Sequence, residues 1–107
     1  MAASLDRLEA TIRDRRSGDP ATSYVARLTR DGRAKIARKL GEEAIETLVA
    51  ALADDRAATK SEAADLLFHL LVLLADMDLS LDDVVAELER REGVSGIAEK
   101  ASRSGEA

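Results

Sequence analysis

The 107-residue sequence contains no cysteine, no tryptophan, one proline, one tyrosine and one phenylalanine. Without cysteine, neither a disulfide bond nor a thiolate metal site can form. Because aromatic residues make up only 2% of the chain, a core must be filled by leucine, valine, isoleucine and alanine. The length suffices for one such core. We therefore expect one domain over residues 1–93, followed by a mobile tail over residues 94–107 that has few large apolar side chains.

The sequence also lacks a hydrophobic run long enough to cross a membrane. Its longest apolar stretch, residues 66–75, is about half the length of a membrane-spanning helix, and His69 interrupts it. The N-terminal segment MAASLDRLEATIRDRR alternates charged and apolar residues, unlike a secretion signal. These features predict a soluble, cytoplasmic protein with no membrane partner.

Positive charge is scarce relative to negative charge, and the formal net charge is −5. This balance argues against a nucleic-acid partner, which needs clustered lysine and arginine to neutralise phosphates. A phosphate-bearing ligand would have to be held with the help of a cation.

Apolar residues recur every three or four positions, which predicts an all-α fold, an antiparallel bundle of about four to five helices. Polar residues that can cap helix starts precede the apolar segments: Ser4, Ser23, the pair Asp54 and Asp55, and Ser80. Asp83 makes a loose capping box with Ser80. Stops are expected before Gly18, at Gly32, near residues 53 and 77, and at Gly93.

Three of the predicted helices carry extended apolar surfaces. The third has a broad apolar face made of Ile36, Leu40, Ile45, Leu48, Val49 and Leu52. The fourth is apolar almost all round over residues 66–75, as in a helix at the centre of a bundle or in a dimer interface. The fifth is expected to bury Leu81, Val84, Val85 and Leu88. We expect at least a homodimer, with part of the fourth helix at the interface.

Five carboxylates lie beside these apolar segments. The run LGEEAIE places Glu42, Glu43 and Glu46 within roughly 100° of one helix surface, and Lys39 shares that sector. Glu62 and Asp65 are neighbours one turn along the fourth helix, and the short break before it makes the two helices antiparallel neighbours. The spacing is compatible with two facing acidic stripes, either within one chain or across a dimer.

Facing carboxylates would repel one another unless a divalent cation lay between them. Ligation by oxygen alone suits Mg²⁺ or Mn²⁺. The alternative is a solvated acidic face, which is the commoner arrangement by composition alone. Two features favour the metal site: the acids of the fourth helix lead directly into its apolar part, and both acidic groups have helical spacing.

Several other polar residues have an ordinary interpretation beside a functional one. His69 lies on an apolar face, where a hydrogen-bonded core histidine is more common than a ligand. Arg90, Arg91, Lys100 and Arg103 are solvated by default, yet they are also the candidates to hold an anionic substrate.

The pattern Glu42-Glu43-x-x-Glu46 followed by Glu62-x-x-Asp65 resembles the signature of the all-α nucleotide pyrophosphohydrolases, the MazG-like group. Nearly the whole chain is similar to the phosphoribosyl-ATP pyrophosphatase family of histidine biosynthesis, through the segments LDRLEATIRDRR, SYVARL, KIARKLGEEAIE, EAADLLFHLLVLLA, LDDVVAEL and SGIAEKASR. The resemblance implies a helical homo-oligomer that hydrolyses phosphoribosyl-ATP to phosphoribosyl-AMP and pyrophosphate with Mg²⁺, for which Mn²⁺ can substitute.

The resemblance also implies roles for individual residues. It makes metal ligands of four acids: Glu43, Glu46, Glu62 and Asp65. Glu42 is implied as a ligand or as the base that orients water, so that Glu42 and Glu43 are the catalytic pair, and Lys39 is a phosphate contact. The chain departs from the family pattern at Phe68, where many members have tyrosine, and at Ser61, where an additional acid is common.

Two other functions compete with this interpretation. One is a general house-cleaning nucleoside triphosphate pyrophosphohydrolase with the same acidic site and a different base. The other is a non-catalytic helical dimer whose acids form a solvated stripe.

Overall fold

A computed structural model shows five α-helices, and it describes residues 2–92 and residue 100. The helices are α1 (Ala2–Arg15), α2 (Tyr24–Asp31), α3 (Arg33–Leu52), α4 (Arg56–Asp76) and α5 (Leu81–Arg90). The described part contains no β-strand, so the all-α class is confirmed. In this part of the chain, no helix has the length and apolar character needed to cross a membrane.

Three of the predicted helix caps are confirmed. Ser23 accepts a hydrogen bond from the backbone N–H of Ala26, and Asp55 caps α4 by accepting from that of Ala58. Ser80 and Asp83 form a complete capping box at the start of α5. These contacts satisfy backbone donors that have no partner in the first turn of a helix.

The predicted cap at Ser4 is wrong. The helix α1 begins at Ala2, so Ser4 lies inside its first turn, where its hydroxyl accepts a hydrogen bond from Arg7. Alanine has the highest helix propensity, and the pair Ala2-Ala3 extends the helix past the serine. At the other end of the chain, α5 ends at Arg90. The expected stop at Gly93 and the expected mobile tail over residues 94–107 lie outside the described residues, apart from Lys100.

A single residue, Gly32, joins α2 to α3. Its N–H donates to the carbonyl of Leu28 at 3.0 Å, and its own carbonyl accepts from the N–H of Ile36 at 3.2 Å. Its φ angle of 105° is one that side-chain-bearing residues rarely adopt. Since a Cβ added there would meet nothing within 4 Å, the backbone torsion alone requires glycine.

The core lies at one end of the α3–α4 pair, where α1 and α2 cover it. Its buried side chains come from four helices: Ile12, Val25, Leu28, Ile36, Leu71, Val72, Leu74 and Ala75. We call this region the packed end. It holds the first turns of α3 and the last turns of α4, and thereby fixes the direction in which both helices leave it.

The opposite end of the α3–α4 pair is a hairpin with an uncovered apolar surface. The chain turns at Asp54, whose φ of 57° is in the left-handed region that aspartate tolerates. Four side chains, which we call the hairpin face, are largely exposed: Ile45 (62%), Leu48 (61%), Val49 (61%) and Leu52 (88%). Of the broad apolar face predicted for α3, only Ile36 is fully buried, because within one chain the covering helices reach only the packed end.

The helix α5 is less buried than its apolar stripe predicts. Leu81 and Val84 pack partly against the core, whereas Val85 and Leu88 are 41% and 60% exposed, so the prediction is half wrong. Polar contacts attach α5 to α1. The carboxylate of Glu9 accepts a hydrogen bond from the N–H of Leu81 at 2.6 Å, and Arg13 donates to the carbonyl of Leu79 at 2.7 Å.

Candidate active site

The middle of the α3–α4 hairpin brings three carboxylates together. One carboxylate oxygen from each of Glu43, Glu62 and Asp65 lies within 4.8 Å of the others. Glu43 projects from α3 and is only 8% exposed, while Glu62 and Asp65 lie one turn apart on α4. The two acidic stripes therefore face each other within one chain.

Two carboxylate oxygens of the site are left without a hydrogen-bond partner among the described residues. When Glu43 and Glu62 are ionised, one oxygen of each, Oε2, is buried and has no hydrogen-bond partner in the described part of the chain. Glu46 and Glu43 raise the pKa of Glu62 to about 7, because a protonated Glu62 can donate a hydrogen bond to them and avoids their charge; burial adds to the effect. Unpartnered, crowded carboxylate oxygens fit a divalent cation with oxygen ligands.

The stripe on α3 divides into two parts. Glu46 adjoins Glu62, as its effect on the pKa of Glu62 shows, but it is outside the group of three. The carboxylate of Glu42 pairs with Lys39 at 3.4 Å and with Arg38 at 3.9 Å. Glu42 therefore lies beside a cation, whereas Glu43 and Glu46 lie against other acids.

Lys39 places a positive charge next to the acidic group, one turn before Glu43. Tyr24, Glu42 and Glu43 raise the pKa of its ammonium group, in that order of effect. The lysine thus stays charged at neutral pH and can contact an anionic ligand.

His69 is a hydrogen-bonded core histidine, as the sequence indicates. It is 5% exposed, and its Nδ1 lies 2.8 Å from the backbone carbonyl of Asp65. A carbonyl only accepts hydrogen bonds, so Nδ1 carries the proton. In the neutral ring, Nε2 then accepts from the hydroxyl of Tyr24 at 2.9 Å. This bond attaches the first residue of α2 to the part of α4 that carries the acids.

The sequence did not indicate Tyr24 as a site residue. Two signals were available: it is the sole tyrosine of the chain, and it lies in SYVARL, one of the segments that carry the family resemblance. The residue reaches the site through a contact between positions 45 apart, which helical spacing does not report.

Four cationic residues near the C-terminus were predicted to hold an anionic substrate, and the structure places them differently. Arg90 and Arg91 both donate to Glu87, at 2.7 Å and 3.1 Å, and lower the pKa of Glu87 to about 2. Lys100 is exposed, and Arg103 lies outside the described residues. Substrate binding by these residues stays a prediction.

Comparison with known proteins identifies close relatives over nearly the full length. Residues 5–92 match the family model described as phosphoribosyl-ATP pyrophosphohydrolase. A protein named phosphoribosyl-ATP pyrophosphatase from Rhizorhabdus wittichii is 61% identical over 103 residues, which are 96% of this chain and 97% of the relative. The protein of that name from Novosphingobium aromaticivorans is 64% identical over 94% of each chain. The one from Dinoroseobacter shibae is 58% identical over 92% of this chain and 97% of its own.

Proposed function

This chain belongs to the phosphoribosyl-ATP pyrophosphohydrolase family, and we propose that it hydrolyses phosphoribosyl-ATP to phosphoribosyl-AMP and pyrophosphate, a step of histidine biosynthesis, in the cytoplasm. The observation that carries the proposal beyond family membership is the group of three carboxylates at Glu43, Glu62 and Asp65. Two of their oxygens are buried without a partner in the described chain, as expected for groups that bind a cation during function.

Mg²⁺, or Mn²⁺ in its place, would be held by Glu43, Glu62 and Asp65, with Glu46 beside them as a fourth ligand. When bound, the ion neutralises the triphosphate and stabilises the charge that develops on the leaving pyrophosphate. Lys39 lies one turn before Glu43 on α3 and contacts the phosphate oxygens of the substrate. Arg90, Arg91, Lys100 and Arg103 are the outer candidates for holding the substrate anion.

The reaction breaks the phosphoanhydride bond between the α and β phosphoryl groups. The oxygen of an attacking water joins one of the two phosphorus atoms, and the electron pair of the broken bond stays with the other product. Glu42 or Glu43 orients this water and accepts its proton. The carboxylate of Glu42 is about half exposed and therefore accessible to water, and Lys39 fixes its position.

The active assembly that we propose is at least a homodimer. Its interface is the hairpin face and not the fourth helix predicted from the sequence, because Leu71, Val72 and Leu74 of α4 are already buried within the chain. Four large apolar side chains of one short helix segment are exposed there, an arrangement that marks an interaction surface. A groove of about 400 Å³ between α3 and α4 continues from Ile45 and Val49 to Glu46 and Glu62. A second copy on this face would therefore lie directly beside the carboxylates.

Turnover of phosphoribosyl-ATP should be compared with turnover of ATP, the other common triphosphates and oxidised triphosphates, in Mg²⁺ and in excess chelator. We expect phosphoribosyl-ATP to have the highest kcat/KM, with activity lost in chelator and restored by Mg²⁺ or Mn²⁺. A preference for another triphosphate would replace the proposed substrate with that of a house-cleaning enzyme. Undiminished activity in chelator would remove the metal role of the acids, and absence of both turnover and Mg²⁺ binding would leave a non-catalytic helical dimer.

A further inference from the structure

The three rings of the chain's only tyrosine, phenylalanine and histidine form one cluster, which His69 joins to the backbone carbonyl of Asp65. Tyr24 lies parallel to Phe68, with ring centres 6.1 Å apart and planes 21° apart. His69 meets both rings edge-on, at 5.8 Å from Tyr24 and 5.3 Å from Phe68. Phe68 packs partly against the core and His69 is buried, so of the three rings only the exposed Tyr24 needs a separate explanation.

The hydroxyl of Tyr24 fixes the orientation of its ring. It donates to Nε2 of His69, and the opposite nitrogen of that imidazole is fixed by the carbonyl of Asp65. Packing against Phe68 restricts the ring from one side. Tyr24 therefore has a defined position relative to Asp65, although it comes from a different helix.

The ring of Tyr24 is fixed but not covered. The residue keeps 42% of its surface exposed, even though its hydroxyl is bonded and one side lies against Phe68. Tyr24 is also a neighbour of Lys39, since it raises the pKa of that ammonium group together with Glu42 and Glu43. An exposed aromatic surface thus lies near the cation and is joined through His69 to the backbone of Asp65.

We propose that Tyr24 is the platform on which the planar heteroaromatic base of the nucleotide substrate stacks. The inference rests on the proposed function and adds to it the residue that recognises the base. A ribose separates the base of a nucleotide from its phosphates, and the residues that hold Tyr24 lie one helical turn, about 6 Å, along α4 from Asp65. A ring fixed in advance stacks on a base at little cost in conformational entropy.

The protein offers an internal reporter for this contact. Tyr24 is its sole tyrosine and it has no tryptophan, so the intrinsic tyrosine fluorescence comes from the proposed platform alone. AMP should quench this emission in the wild-type protein with Mg²⁺, after correction for absorption by the nucleotide. Ribose 5-phosphate together with pyrophosphate, which carries the phosphates without a base, should leave the emission unchanged.

Two substitutions separate the ring from its hydroxyl. Tyr24→Leu removes the aromatic surface and should raise the KM for phosphoribosyl-ATP and the Kd for AMP about tenfold, with kcat changed much less. Tyr24→Phe keeps the ring and loses only the bond to His69, so both constants should rise by less than about threefold. Leu79→Ala, on a residue of similar exposure in the turn before α5, is the matched control and should leave both constants unchanged.

Binding of pyrophosphate with Mg²⁺, measured by calorimetry, distinguishes a platform from a general structural role. We expect Tyr24→Leu to bind it as the wild type does. The proposal is overturned if AMP binds, by calorimetry, without changing the emission of Tyr24, or if Tyr24→Leu keeps the wild-type KM. It is also overturned if that variant loses pyrophosphate binding in proportion to AMP binding. A wild-type protein that binds AMP with quenching but does not hydrolyse phosphoribosyl-ATP would instead contradict the proposed function. The fluorescence result stands even if Tyr24→Leu does not fold.

Discussion

The two ends of the α3–α4 hairpin use apolar residues in opposite ways. At the packed end, Leu71, Val72 and Ala75 are buried, because α1 and α2 lie over them. At the turn, Ile45, Leu48 and Val49 are each more than 60% exposed, although they belong to a helix of the same pair. Apolar side chains are present at both ends, and what differs is the presence of covering helices.

This difference indicates where the chain is stabilised and where it interacts. Fully burying one leucine or valine side chain contributes about 1.5–3 kcal/mol, and the packed end obtains this from within the chain. The side chains of the hairpin face gain this stabilisation only when a second molecule covers them. The carboxylates of Glu43, Glu62 and Asp65 lie between the two regions, where the packed end fixes their backbones and the open end leaves access for a ligand.

The largest effect is expected from Glu43→Gln, which changes a carboxylate that lies between the packed end and the hairpin face. The substitution keeps the shape of the side chain and removes its charge. We expect kcat/KM for phosphoribosyl-ATP to fall about 10²- to 10³-fold, the usual effect of removing one group that stabilises charge in the transition state. Glu89→Gln, an equal change at an exposed position of α5, is the control. Steady-state kinetics within twofold of the wild type for Glu43→Gln would place the active site elsewhere.

The contrast between covered and uncovered apolar residues can be tested with two matched leucines. Leu48 on the hairpin face and Leu88 on α5 are 61% and 60% exposed. Leu48→Glu should raise the dissociation constant of the dimer by about 30-fold or more, since it puts a charge into the proposed interface at a cost of about 2 kcal/mol. Leu88→Glu should leave it unchanged. Sedimentation across a dilution series measures both, and equal effects would reject the hairpin face as the interface.

The pH dependence of stability tests the crowding of carboxylates between the packed end and the hairpin face. In the folded chain the pKa of Glu62 is about 7, against 4.5 for an ordinary glutamate. The folded chain therefore keeps a proton that the unfolded chain releases between these values. As a result, the free energy of unfolding in chelator should fall as the pH rises from about 4.5 through about 7.

Glu46→Gln provides the control for this effect, because Glu46 is the largest cause of the raised pKa of Glu62. In chelator above pH about 7, the variant should melt at an equal or higher temperature than the wild type, and its melting temperature should depend less on pH. Mg²⁺ should stabilise the wild type more than the variant, because a ligand of the folded state acts by mass action. Parallel melting curves for the two proteins would show that Glu46 contributes neither repulsion nor ligation.

The smallest expected effect concerns the polar attachment of α5 to α1. Glu9→Gln keeps an oxygen that can accept from the N–H of Leu81 and removes the negative charge beside the first turn of α5. The free energy of unfolding should fall by about 0.3–1 kcal/mol. Asp6→Asn, one turn earlier on α1 and exposed, controls for the loss of charge. Urea titration compares the two, and equal effects would assign the stabilisation to net charge alone.

The sequence was sufficient to predict the features that depend on neighbours a few positions away. Caps at Ser23, Asp55 and Ser80 bond to backbone groups within three residues, so their spacing is visible along the chain. Spacing along the chain was also compatible with facing acidic stripes but left open whether they meet within one chain or across a dimer, and the structure brings Glu43 to Glu62 and Asp65 within one chain. Helical spacing puts Glu62 and Asp65 on one side of α4, and a short turn leaves α3 and α4 little choice but to run antiparallel.

Features that depend on which element covers another could not be predicted in this way. A helical period shows that Leu88 and Val85 belong to an apolar stripe, but it does not show whether anything lies over them, and both are exposed. The bond between Tyr24 and His69 depends on how α2 packs against the α3–α4 pair. That packing is set by core contacts at Val25 and Leu28, which composition alone does not specify.

The connection at Gly32 has a consequence for how this architecture can change. A loop of several residues would let α2 and α3 drift independently, whereas one residue ties their relative rotation to a single pair of torsion angles. Inserting one residue here would add a second pair of torsion angles between the two helices. The direction in which α3 leaves α2, and with it the position of Lys39 relative to Tyr24, would then no longer be fixed by one residue. A change in the length of this connection should accordingly be poorly tolerated, although Gly32 is only partly buried and its Cβ position is open.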